Sequence, residues 1–145
     1  MKKRTLRVLA LFIVLSMLLS TCVFAAMNAS EYIAATSTWI TRTGNTVKVN
    51  FTIVGTKTMD QIGVKYIYLY EKNGNSWNLV ETFDYTDPDY DDIMMDSNSS
   101  GHAGYLPYSG YANKNYYADV RFYAEKNGGS DTIQQDTPTS YGTNP

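Results

Sequence analysis

The sequence predicts an all-β domain, an antiparallel β-sandwich of about seven strands. Three observations predict it. No segment keeps an apolar stripe of helical period over three turns. Short runs rich in Val, Ile, Thr and Tyr recur along the chain. Gly- and Asn-bearing turn signals, "TGN", "KNGNS" and "NGGSD", separate them. Strands of this number in about 100 residues make a two-sheet sandwich; a closed barrel is the alternative.

The strands follow in order. "EYIAATSTWITRT" is the first and ends at the "TGN" turn. "NTVKVNFTIVG" alternates, with Val47, Val49, Phe51 and Ile53 on one face and Thr46, Lys48, Asn50 and Thr52 on the other. "IGVKYIYLYEK" is the third, and "WNLVETF" is its hairpin partner across "KNGNS". "GHAGYLPYS" is the fifth, and Pro107 marks it as an edge or a bulge. "NYYADVRFYAEK" and "SDTIQQD" are the sixth and seventh, joined by "NGGSD". Trp77 is expected to pack across the sandwich or to cap its edge, and Met94 and Met95 to plug one end of the core.

The first 25 residues read differently. Lys2, Lys3, Arg4 and Arg7 precede the apolar run Val8 to Leu19, and small residues follow. This is the pattern of a secretory signal peptide, with cleavage after Ala25 placed by Val23 and Ala25. The run falls short of the ~20 residues that span a membrane. Cys22 stands in "LSTC", close to a lipobox, but Thr21 and the following "VFAA" favour a cysteine that leaves with the leader. The expected organisation is a signal peptide at 1–25, a β-domain at 26–136 and a polar tail at 137–145, with a secreted, extracellular location.

Composition narrows the function. Removing the four basic residues of the leader leaves eight Lys and Arg against fourteen Asp and Glu, a net of −6. An acidic domain is a poor partner for nucleic acid or an anionic membrane. Cys22 is the single cysteine, so residues 26–145 have no disulfide and no thiolate nucleophile. A monomer stabilised by an apolar core is expected.

Two resemblances add to this. In "NKNYYADVRFYAEKNGGSDT", Tyr116, Ala118, Val120, Phe122 and Ala124 share a face. A Tyr followed by alternating small and apolar residues and a Gly-rich turn resembles strands F and G of fibronectin type III and immunoglobulin-like domains. That resemblance implies a tyrosine corner, with Tyr116 bonding its hydroxyl back to the nearby backbone. The segments "TMDQIG", "IYLYEKNGNSWNLVETF", "SNSSGHAG" and "YSGYANKNYYADVRFYA" are similar to a family of small secreted proteins from Gram-positive bacteria that carry a domain-of-unknown-function label. This second resemblance implies bacterial origin and secretion, and it adds no chemistry.

Three constellations could carry function. Ile67 and Leu69 are expected to face the core, which turns Tyr66, Tyr68 and Tyr70 outward. Tyr117 and Tyr123 are expected to face outward from the neighbouring strand with Arg121 between them. Such a tyrosine face suits capture of an extracellular protein or glycan, against the plainer reading of cross-strand pairs that steady a sheet. The second constellation is "DYTDPDYDDIMMD", with six aspartates in thirteen residues. It is not an EF-hand, because Asp92 stands where Gly is required and Asn98 where Glu is required. Asp87, Asp89, Asp91 and Asp92 could still hold calcium in a looser loop, against a plain solvated loop. That gives a calcium-assisted carbohydrate-binding domain as the second function. The third constellation is catalytic, and it is thin. His102 is the sole histidine, and no nucleophile elbow or protease motif accompanies it. A non-enzymatic binding module without a required cofactor is therefore expected, ahead of a small secreted hydrolase.

Overall fold

The computed structural model describes residues 30–142; the expected leader lies outside them. The described chain is mostly antiparallel β-structure. It forms β1 (Ile33–Thr43), β2 (Thr46–Asn73), β3 (Ser76–Asp84), a single-turn helix α1 (Asp91–Met94), β4 (Met95–Ser109), β5 (Tyr116–Lys126) and β6 (Gly129–Asp136). Among the described residues no helix is long and apolar enough to cross a membrane.

Among the described residues six strands form, not the expected seven. The expected second and third strands are one strand of 28 residues, β2. "GTKTMDQ" looks like a turn because Thr56, Lys57 and Thr58 are polar and exposed. The chain nevertheless stays extended there, and Met59 and Ile62 return to the core. Along one edge β2 pairs first with β4 and then with β3; along the other it pairs with β1 and then β5. Register shifts at Val54/Met59 and Val64/Tyr66 accompany these changes of partner. Bulges of this kind bend a strand and increase its twist, and the one hydrogen-bonded sheet curls around its own apolar face. β6 completes it beside β5. The fifth strand also begins earlier than expected, at Met95. β4 pairs only with β2, so Pro107 does sit on an edge strand.

The hairpins follow their turn residues. Asn127 and Gly128 both have positive φ, 52° and 79°, which a type I′ turn requires at its two central residues. Gly44 and Gly74 take φ of 58° and 61° at the first central position of their two-residue loops, as a type II′ turn demands.

Alternation then builds the core. Val47, Val49, Phe51, Ile53, Ile67 and Leu69 from β2 meet Ala118, Val120, Phe122 and Ala124 from β5, with Phe83, Met94 and Leu106. Burying each large side chain contributes roughly 1.5–3 kcal/mol. Met94 is fully buried at the end of α1, whereas Met95 is half-buried and Ile93 stays exposed. The "IMM" segment thus anchors its loop through one methionine.

Tyr116 closes the other end. Its ring is fully buried. Its hydroxyl accepts from the Tyr111 backbone N–H at 2.9 Å and donates to Glu71 Oε2 at 2.6 Å. The bond back to a backbone group five residues upstream is the one a tyrosine corner makes. Lys114 Nζ lies 3.6 Å from the other Glu71 oxygen. Arg42 clamps the same corner from β1: its guanidinium donates to the carbonyls of Lys114, Tyr111 and Ala112 at 2.7–2.9 Å and sits 5.3 Å from the Tyr116 ring centre. Arg42→Ala should cost about 2–3 kcal/mol in urea unfolding, since three carbonyls lose a charged donor. Arg42→Lys should recover only part of this, because an ammonium lacks the planar fork.

Residues 137–142 of the expected tail are tied to the start of β5. Thr137 is buried and exchanges bonds with Ala118, Ser140 pairs with Tyr116, and the Gly142 N–H donates to Asn115 Oδ1.

Candidate functional site

The candidate site is the outer face of the strands β3, β2, β5 and β6. Ile67 and Leu69 are fully buried, so the alternation of β2 turns Tyr66, Tyr68 and Tyr70 to that face, each half-buried. On β5 the same parity brings out Tyr117, Asp119, Arg121 and Tyr123. Register sets Tyr70 opposite Tyr117, Tyr68 opposite Asp119 and Tyr66 opposite Arg121. From β3, Leu79 lies opposite Tyr70 and Trp77 opposite Lys72. Trp77 therefore belongs to this outer face and does not pack across the core.

The rings touch one another. Tyr70 and Tyr117 are 4.8 Å apart with 7° between their planes. Rings side by side in one plane cannot come so close, so this pair is stacked face to face. Tyr66 and Tyr68 are also stacked, at 6.0 Å and 15°. Trp77 meets Tyr117 edge-on at 4.7 Å and 88°. Arg121 lies in the middle: its guanidinium is 5.7 Å from the Tyr68 ring centre and pairs with Asp119 at 3.3 Å. Gln134 Nε2 donates to the second Asp119 oxygen at 2.9 Å. Hydrogen bonding to Asp119 raises the Arg121 pKa further above its ordinary value, so the guanidinium stays charged. Burial, followed by the charge of Tyr70, pushes the Tyr117 hydroxyl up, so it remains a neutral donor.

Tyr123 does not join this surface. It has the outward parity, yet it is only 7% exposed. Lys65 Nζ covers its ring at 3.5 Å, and its hydroxyl donates to Glu125 Oε2 at 2.6 Å. Burial first, and then the bond to Glu125, raises its pKa. Lys65 sits at the register shift of β2 against β5, where no partner is assigned to it. The bulge sets its side chain over the neighbouring ring, a placement that alternation alone does not foretell.

The acidic loop serves its own backbone. Asp84 accepts from the N–H and hydroxyl of Thr86, Asp87 from the Asp89 N–H, and Asp91 from the Asp92 N–H. Asp87, Asp89, Asp91 and Asp92 are all exposed. Among the described residues no three His, Cys, Asp or Glu side chains are grouped to hold a metal ion. His102 is partly buried; its Nε2 lies 2.7 Å from the Ile93 carbonyl oxygen, and its ring is 5.8 Å from Phe51. It ties the acidic loop to β4.

A second outer face escaped the sequence reading. The register of β1, β2 and β4 sets Trp39, Asn50 and Tyr105 in one row, with Trp39 41% and Tyr105 50% exposed. Their proximity follows from strand order, which local sequence does not encode. Beside Tyr105 a groove of about 500 Å³ opens between α1 and β4.

No family model matches the chain, and no curated protein matches it. Among solved structures, a hypothetical protein from Pyrococcus horikoshii OT3 is similar at a TM-score of 0.33 and 15% identity, over 79% of this chain and 97% of that one. A likeness that low supports neither fold nor function.

Proposed function

We propose that the protein is a secreted, non-enzymatic binding module that captures an extracellular protein through the tyrosine face of β2 and β5. The observation that carries this is the continuous outer cluster of Trp77, Tyr66, Tyr68, Tyr70 and Tyr117 around the Arg121–Asp119 pair. Contiguous aromatic surface of this kind marks interaction sites. Tyrosine and arginine dominate protein-binding surfaces because they give large contact area at low entropic cost. The stacking also favours a protein over a glycan. Tyr70 and Tyr117 each turn one face to the other and Trp77 meets Tyr117 as well, so this pair offers less flat surface to a sugar ring than two separate rings would. The fold we infer for the module is an immunoglobulin-like sandwich, supported by the Tyr116 corner and by the change of partners halfway along β2.

The test is an array of immobilised extracellular proteins beside a glycan array. The wild type should bind a protein spot. The Tyr66→Ser, Tyr68→Ser double variant should lose at least about tenfold in affinity, the loss expected when central aromatic anchors are truncated, with an unchanged circular dichroism spectrum. Binding to glycans alone would overturn the choice of partner. Unchanged protein capture by the double variant would overturn the choice of surface.

A further inference from the structure

The groove beside β4 lies away from the tyrosine face and does not depend on it. Asp92, Ile93, His102, Gly104, Tyr105 and Pro107 line it. Residues of both parities of β4 contribute, so it follows the strand's edge and does not sit on one face. A shallower depression of about 280 Å³ shares His102 and Ala103 with it and extends it towards Gly101 and Val54. The larger volume is within the roughly 300–1,000 Å³ typical of small-ligand sites.

Its chemistry is selective. The Ile93 carbonyl can only accept, so His102 Nε2 carries the proton and Nδ1 of the neutral ring is left as an acceptor. Asp92 adds a carboxylate, again an acceptor. No Lys or Arg is among the lining residues, so an anionic ligand would meet the Asp92 carboxylate with no cation in the lining to offset it. Tyr105 is half-exposed, and Lys48 Nζ lies 4.4 Å from its ring centre. Lys48 is not among the residues that line the groove. Ile93 and Pro107 supply the apolar remainder.

We propose that this groove is a binding site for a short neutral saccharide, whose hydroxyls donate to Asp92 and His102 while a sugar ring packs on Tyr105. Acceptors with no cation in the lining, beside a half-exposed aromatic ring, match a ligand rich in hydroxyl donors and free of charge. A lysine-bearing peptide is the competitor, because it too would meet an acceptor-lined groove.

The experiment is NMR titration of the purified protein with three probes: neutral oligosaccharides (β-glucan, xylan and mannan tetramers), the corresponding acidic galacturonate tetramer, and a tetralysine peptide. At least one neutral probe should shift the amide signals of His102, Gly104 and Tyr105 in a saturable way. Tyr105→Ala should weaken that binding about tenfold or more, and Asp92→Ala should weaken it as well. The exposed Tyr141, replaced by Ala, should leave it unchanged. Saturable shifts with tetralysine alone, stronger binding of the galacturonate than of every neutral probe, or no shift from any probe at millimolar concentration would each overturn the proposal. None of these outcomes touches protein capture by Tyr66 and Tyr68, so the two proposals fail separately.

Discussion

Tyr116→Phe is expected to lower the unfolding free energy by about 2–4 kcal/mol, although it removes a single oxygen. That oxygen makes two bonds in a fully buried place. One accepts from the Tyr111 N–H, and the other donates to a carboxylate. A bond to a charged group contributes about 1.5–3 kcal/mol, and a buried donor left unpaired costs about 1–3 kcal/mol. The variant also leaves Glu71 with Lys114 as its remaining charged partner, at 3.6 Å. The same group makes stability depend on alkaline pH. Burial, and then the bond to Glu71, pushes the Tyr116 hydroxyl up to about 12 from an ordinary value of 10.0. The folded state therefore holds this proton more tightly than the unfolded state. Its contribution is complete below the unfolded pKa and is lost as pH rises from about 10 through about 12. Tyr108, Tyr117 and Tyr123 are raised as well and act in the same direction. Urea unfolding at about pH 8 and about pH 11 should show a smaller alkaline loss in Tyr116→Phe than in the wild type. An equal loss in both would show that Tyr116 is not the titrating group.

Gly63→Ala should have an effect of similar size through the backbone. Gly63 is buried in β2 between two neighbours, opposite Met95 of β4 and Tyr123 of β5. A methyl group there would overlap the Met94 carbonyl oxygen and come within 2.8 Å of Met95 Cα. Both obstacles are main chain, so no rotamer change relieves them. The start of β4 has to move away from β2, and it takes the fully buried Met94 with it. Overpacking of this kind costs about 1–3 kcal/mol, and the immobile contacts place Gly63→Ala at about 2–3. Hydrogen exchange should localise the damage, with faster exchange of the amides from Met95 to Ser99 and little change in β6. Wild-type stability in this variant would mean that β4 approaches β2 less closely than described.

Much of this fold was legible in the sequence. The alternation of Val47 to Ile53 and the pair Ile67 and Leu69 announced the buried face of β2. The resemblance of the residues around Tyr116 to strands F and G of fibronectin type III and immunoglobulin-like domains implied a corner, and the Tyr116 hydroxyl does bond back to the Tyr111 N–H. The continuity of β2 was not legible. Gly55 to Asp60 has the composition of a turn, and what keeps it in the sheet comes from far along the chain. Lys126 donates to Asp60 at 2.6 Å, and the Asn127 N–H donates to the same carboxylate. The bond from Lys126 is also the main cause that holds the Asp60 pKa below its ordinary value. The candidate site divides in the same way. Strand period gave Tyr66, Tyr68, Tyr70 and Tyr117 their outward direction. The cover that Lys65 lays over Tyr123, and the row of Trp39, Asn50 and Tyr105, depend on a bulge and on strand order, which are settled only when the sheet assembles.

The central claim is that the tyrosine face is the surface that meets the partner. Hydroxyl-radical footprinting of the complex with the captured protein tests it most directly, because it reads side-chain exposure tyrosine by tyrosine. Tyr66, Tyr68, Tyr70 and Tyr117 should be protected on binding, while Tyr105, Tyr111 and Tyr141 should oxidise as they do in the free protein. Protection confined to Tyr105, Tyr111 or Tyr141, with the four face tyrosines unchanged, would contradict it.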